Sequence, residues 1–140
     1  MRSHTIILIV LIILHQLANG FLYVIFEGKV THKGLPTVLS NYSFHINATA
    51  SGFYDKSVLE TLSAGLFNFY SNTDYNKLFS EDMIAFTNFK LNNSSLTDNL
   101  NAVYDLKEET LLEIVKLGQK NASNESIRTI FDRVVTTIES

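Results

Sequence analysis

Between Ser57 and Tyr70 the apolar residues Val58, Leu59, Leu62, Leu66, Phe69 and Tyr70 return at every third or fourth position. That spacing lays one apolar stripe along a helix, and such a helix must cover its stripe with a second layer of structure. Ser57-Val-Leu-Glu60 has the form of a capping box, hydroxyl and carboxylate placed to satisfy the first free N–H groups. Gly65 falls inside the predicted helix, where it costs about 1 kcal/mol against alanine. A close approach to a neighbouring strand would account for it. Asn72-Thr73-Asp74 ends the helix, and Tyr75–Phe79 reads as a further short turn.

The covering layer is expected from segments of period two. Phe21–Val30 is mostly aromatic and β-branched and runs into His32-Lys-Gly-Leu-Pro36, a strand followed by a turn. In Asn41–Asn47, Tyr42, Phe44 and Ile46 alternate with Ser43, His45 and Asn47, which predicts a second strand. Met83–Leu91 reads as a strand with a parity switch near Thr87–Asn88, the mark of a bulge or bend. Asn92–Ser95 is a turn, and Leu100, Ala102, Tyr104 and Leu106 alternate beyond it, so this pair is expected to form a hairpin. Lys107–Leu117 fits either a continued strand or a helix closed by Gly118, with Glu108, Glu109 and Lys116 favouring the helix. Ile127, Ile130, Phe131, Val134 and Ile138 predict a last amphipathic helix, led in by residues 121–125.

The first twenty residues read as an address. An apolar run from Ile6 to Leu14 follows Arg2, long enough for a secretion signal and about half of what spans a bilayer. Small residues at Ala18 and Gly20 place cleavage between Gly20 and Phe21. A retained anchor is the alternative, because Phe21–Phe26 is also apolar, although His15, Gln16 and Asn19 interrupt the joint stretch. No later segment of the sequence is long and apolar enough to span a membrane.

Export agrees with the asparagines. The 140 residues hold 13 asparagines and 25 serines and threonines, for which random order gives about two glycan-acceptor triplets Asn-X-Ser/Thr. There are six, at Asn41, Asn47, Asn92, Asn93, Asn121 and Asn124. Asn92 and Asn93 overlap and are expected to share one glycan. A net charge of −3 offers no electrostatic footprint for nucleic acid. Zero cysteine excludes disulfides, thiolate chemistry and cysteine-based zinc sites.

Taken in order, Tyr42-Ser-Phe-His-Ile46, Ser57-Val-Leu-Glu-Thr-Leu62, Phe67-Asn-Phe-Tyr70, Phe86–Leu91 and the tip Asn93-Ser94-Ser95-Leu96 resemble an extracellular SEA domain. The resemblance is one of pattern and order over residues 42–140. It implies an α+β class with a ferredoxin-like β-α-β-β-α sandwich, its helices packed on one face of an antiparallel sheet. The organisation is then a signal peptide at 1–20, an N-terminal strand extension at 21–41 and an SEA-like domain at 42–140. Self-cleaving members of that family carry Gly-Ser at the hairpin tip. Here the pair is Asn93-Ser94, and without the glycine the strained backbone that drives cleavage is altered, so no self-cleavage is expected. The family's closing strand has no counterpart, and Phe21–Val30 is a candidate for that vacant edge.

Chemical constellations are sparse. His32 and His45 lie beyond the signal but in no metal-binding spacing, so no metal and no cofactor are expected. The acidic pairs Glu81-Asp82 and Glu108-Glu109 suit helix starts better than acid–base work. No nucleophile elbow and no glycine-rich phosphate loop occurs, and no catalytic residue is assigned. The aromatics Phe67, Phe69, Tyr70, Tyr75, Phe79, Phe86 and Phe89 are expected in the core. These readings converge on a secreted, N-glycosylated, non-enzymatic interaction or scaffold module whose partner is an extracellular protein or glycan. A small carrier of hydrophobic ligands and a secreted effector of a cell-surface receptor are the alternatives.

Overall fold

The computed structural model describes residues 10–13, 23–26, 30–53, 55–92 and 94–125 of the chain. The chain divides into two units, residues 1–43 and 44–140. In the first, β1 (Val10–Ile13) pairs antiparallel with β2 (Tyr23–Phe26), Val10 opposite Phe26 and Ile13 opposite Tyr23. The expected strand within Phe21–Val30 therefore exists, paired with part of the leading apolar run. After a turn at 32–34 comes a short helix, α1 (Leu35–Leu39), with Pro36 in its first turn, where a missing N–H costs nothing.

The second unit is built on a βαβ crossover. β3 (Phe44–Asn47) and β4 (Phe67–Tyr70) run parallel, in register Phe44↔Phe67 through Asn47↔Tyr70, and α2 (Lys56–Ser63) joins them. Parallel strands cannot be joined by a tight turn, so the crossover helix is a requirement of the pairing. The class is α+β, but the expected antiparallel, ferredoxin-like sheet is not what forms.

The reason lies at Gly65. The predicted helix to Tyr70 stops at Ser63, because Gly65 adopts φ +85° and the chain reverses. Leu66 N–H donates to Thr61 C=O at 3.0 Å and Gly65 N–H to Leu62 C=O at 2.9 Å, a paired closure that satisfies the last helical carbonyls. The glycine is a stop signal, not a flaw in a longer helix. Beyond it Phe67, Asn68, Phe69 and Tyr70 are all buried. Asn68 alternates with Phe67 and Phe69, but the strand is only four residues long, and Leu66, Phe69 and Tyr70 continued the helical stripe by coincidence. At the other end Asp55, not Ser57, caps α2: its carboxylate accepts from Ser57 N–H at 2.9 Å.

A 3-10 helix at Thr73–Leu78 occupies the place of the expected short turn. The predicted hairpin is helical instead. α3 (Glu81–Thr87) and α4 (Ser95–Tyr104) replace its two strands. The parity switch at Thr87–Asn88 marks the end of α3, after which Asn88 bridges Tyr70 and Phe89 N–H donates to Tyr70 C=O at 3.0 Å. On α4 the inward residues are Leu96, Asn99, Leu100 and Val103, a helical spacing hidden by the polar Asn99. Asn99 is buried because its amide nitrogen donates to Ala85 and Asn88 C=O at 3.2 and 3.0 Å, closing the end of α3.

α5 (Glu108–Asn124) resolves the ambiguity at Lys107–Leu117 as helix, opened by Glu108 and Glu109. Gly118 does not close it. It sits mid-helix, where an added Cβ would lie 2.8 Å from Leu62 and 3.1 Å from the Phe79 ring. The missing side chain sets how closely α5 approaches α2. Gln119 donates to Ser63 C=O at 3.0 Å and Asn121 to Leu78 C=O at 2.8 Å, tying α5 to the ends of α2 and the 3-10 helix. The last amphipathic helix expected at 127–138 lies outside the described residues. The core comprises Val58, Leu62, Phe67, Phe69, Tyr70, Tyr75, Leu78, Phe79, Phe89, Val103, Ile114 and Ala122. Tyr70 stacks on Phe79 and meets Tyr75 edge-on, and burial pushes its hydroxyl up to about 12.

Candidate functional site

The two faces of the β3–β4 pair differ in chemistry. Phe44, Phe67 and Phe69 pack together on one face, with ring centroids 5.0–6.1 Å apart. The opposite face carries His45, Asn47, Asn68 and Tyr70, opposed by α2. Two polar clusters form there.

The deeper one joins His45, Thr61 and Asn68, which are 7%, 2% and 1% exposed. Asn68 donates its amide nitrogen to Leu66 C=O at 3.1 Å, so its oxygen is the acceptor. His45 Nδ1 therefore carries the proton and donates to that oxygen at 2.6 Å. The Thr61 hydroxyl lies 2.8 Å from the same oxygen, 3.0 Å from His45 Nδ1 and 2.8 Å from Ser57 C=O. Burial lowers the His45 pKa, opposed by the Asn68 bond and the Asp55 charge. With Nδ1 donating to Asn68, the imidazole presents no lone pair on that nitrogen to the hydroxyl beside it.

The outer cluster is a clasp formed by Asn47, Thr49, Asp55 and Ser57. Asn47 Nδ2 donates to Asp55 Oδ2 at 2.8 Å and to Ser57 Oγ at 2.9 Å. The Thr49 hydroxyl donates to Asp55 Oδ2 at 3.0 Å, and Thr49 N–H donates to Asn47 Oδ1 at 3.0 Å. Burial raises the Asp55 pKa, but bonds from Ser57, Asn47 and Thr49 outweigh it and hold the carboxyl below the usual range. The Tyr75 hydroxyl donates to Asp55 C=O and accepts from Asp55 N–H. A ladder then pins the loop after β3 to the loop after β4: Ser51 to Thr73, Gly52 N–H to Asp74, Asn72 to Phe53 C=O, and Ser71 to Thr49 C=O.

Beside this ladder, Phe53, Leu59, Asn72, Asp74, Tyr75, Lys77 and Glu125 line a cleft of about 50 Å³, rimmed by the Lys77–Glu125 ion pair at 3.4 Å. Ligand sites for small organic molecules run to roughly 300–1,000 Å³. No cluster of three metal-ligating side chains exists among the described residues, and none of their helices is long and apolar enough to cross a membrane.

The predicted site residues separate by burial. Asn41, Asn92 and Asn124 are exposed. Asn121 is half-buried and donates to Leu78 C=O. Asn47 is 7% exposed and belongs to the clasp. Asn93, Gly20 and Phe21 lie outside the described residues. His32 is exposed on the turn before α1, while His45 is interior. Sequence reasoning missed the clasp altogether, although the Asp55-X-Ser57 spacing of a helix cap was there to read. No family model matches the chain, and neither does any curated protein or solved structure.

Proposed function

We propose that this chain is a secreted N-glycosylated module that acts through its surface, as an interaction or scaffold element and not as an enzyme. The observation that carries the reading is the excess of acceptor triplets behind a leader-like apolar run, three of whose asparagines, Asn41, Asn92 and Asn124, are exposed. The hydroxyl and imidazole from which a catalyst would be assembled, Thr61 and His45, are bonded to each other and to Asn68 in the interior, and the half-buried Asp55 carboxylate is taken up by Asn47 and Thr49. Glycans hinder contact wherever they sit, so the binding face for an extracellular protein or glycan is an acceptor-free one. The proposed role rests on these surface features and not on the order of elements that resembled SEA domains.

Expression of the full chain in eukaryotic cells tests it. The expected product appears in the medium, begins at Phe21 and loses mass on enzymatic deglycosylation. Protein that stays in the cytosol, begins at Met1 and carries no carbohydrate overturns the reading.

A further inference from the structure

Six asparagines carry the acceptor signal, and at Asn47 the fold occupies the very atoms that glycosylation needs. Both Nδ2 hydrogens are committed, to Asp55 Oδ2 at 2.8 Å and to Ser57 Oγ at 2.9 Å. Thr49 supplies the hydroxyl of the triplet and donates it to the same Asp55 oxygen at 3.0 Å. Asn47 is 7% exposed, and its carbonyl accepts from Ser71 N–H at 3.0 Å, beside the end of β4. In N-glycosylation the amide nitrogen bonds to C1 of a sugar, the C1–oxygen bond to a lipid diphosphate breaks, the lipid diphosphate departs and the amide loses one proton. The product keeps one Nδ2 hydrogen where the clasp uses two, and it sets a sugar ring where Asn47 is packed.

Asn92 is built the other way. It is exposed, and its oxygen accepts from Ser94 and Ser95 N–H at 3.3 and 2.9 Å, opening α4. A glycan on its nitrogen leaves both bonds in place.

We infer that Asn47 is a fold-protected acceptor: closure of the clasp shields it from glycosylation, and a glycan added first prevents β3, α2 and β4 from closing. The competition is local, because Asp55 and Ser57 follow Asn47 by eight and ten residues, whereas the Ser71 contact lies 24 residues on. The setting of this inference rests on the secreted-glycoprotein reading, while its geometry does not.

Glycopeptide mapping of the secreted full-length chain tests it. Asn92 is expected to be occupied and Asn47 bare, and the Asp55→Ala variant, which opens the clasp, is expected to raise Asn47 occupancy several-fold at constant Asn92 occupancy. Occupancy at Asn47 matching that at Asn92 in wild type, or no rise in the variant, overturns the inference. If cells leave every acceptor bare, the export reading fails, and a second arm decides the inference alone. Unglycosylated full-length chain and a synthetic peptide spanning residues 41–53 are each given to a purified oligosaccharyltransferase with its lipid-linked oligosaccharide. Modification of Asn47 in the peptide but not in the folded chain upholds the inference, and equal modification in both overturns it.

Discussion

Replacing Asp55 separates the two jobs its carboxylate performs. Oδ1 accepts from Ser57 N–H and caps α2, while Oδ2 accepts from Asn47 and Thr49. In Asp55→Ala both are lost. A helix cap is worth about 0.5–2 kcal/mol. A buried amide deprived of one partner adds about 1–3 kcal/mol, reduced here because Ser57 Oγ still receives Asn47. The sum is a loss of about 2–4 kcal/mol. Asp55→Asn keeps one acceptor oxygen for the cap but turns an NH₂ group toward the Asn47 and Thr49 donors, so a loss of about 1–2 kcal/mol is expected. Urea unfolding followed by circular dichroism at pH 7 measures both.

The pH dependence gives an independent check. The folded Asp55 pKa is depressed below its ordinary 3.8. Its contribution is therefore complete above that value and is lost as pH falls through the folded pKa. The stability gap between wild type and Asp55→Asn should narrow in that acid window and hold constant above it. Equal acid sensitivity of the two proteins, or a loss in Asp55→Ala within about 0.5 kcal/mol, the range of an ordinary surface substitution, refutes the clasp.

Three further substitutions probe the packing that positions it. Gly118→Ala gains about 1 kcal/mol of helix propensity, but its Cβ would meet Leu62 and the Phe79 ring at 2.8 and 3.1 Å in a core where both are buried. With overpacking at about 1–3 kcal/mol, a net loss in urea denaturation is expected, and a gain would contradict the close approach of α5 to α2. Gly65→Ala meets only Gln119, 3.6 Å away, so its cost is that of holding alanine at φ +85°, about 1–2 kcal/mol at unchanged denaturant slope. His45→Gln removes a group whose pKa is lowered from 6.5 by burial, with Asp55 and the Asn68 bond acting against the shift. Wild type should lose stability as pH falls below 6.5 toward the folded value, and the variant should lose less over that window. Parallel pH curves would refute the buried neutral imidazole.

How much of this was legible in the sequence depends on the range of each signal. Phe44–Asn47 alternated and became a strand, and the acidic pair Glu108-Glu109 opened a helix, because both signals act within a few residues. β4 was not legible by pattern. Phe67–Tyr70 is covered on both faces, and Leu66, Phe69 and Tyr70 happen to prolong the spacing of α2. Only Gly65 with its following leucine distinguished a stop from an interior glycine. α4 was masked by Asn99, a polar residue in a core position, whose burial makes sense only once the Ala85 and Asn88 carbonyls are beside it. The clasp at Asn47 was hidden for the same reason. The triplet is local, while Asp55 becomes its partner only after α2 folds back.

The polar seam under α2 also explains why the parallel pair takes one register. Apolar contacts between a helix and a sheet tolerate sliding, whereas His45 needs the Asn68 oxygen beside it and Asn47 needs Asp55 and Ser57. A shift of β3 by one residue would turn Phe44 and Ile46 toward α2 and leave His45 and Asn47 on the aromatic face. A shift by two would keep the faces but part His45 from Asn68, leaving buried polar groups without partners at about 1–3 kcal/mol each. His45 and Asn47 therefore fix strand register, and their bonds hold both in the interior. On the function proposed above, recognition is left to the exterior, where a glycan on an exposed acceptor such as Asn92 would set the faces a partner must avoid.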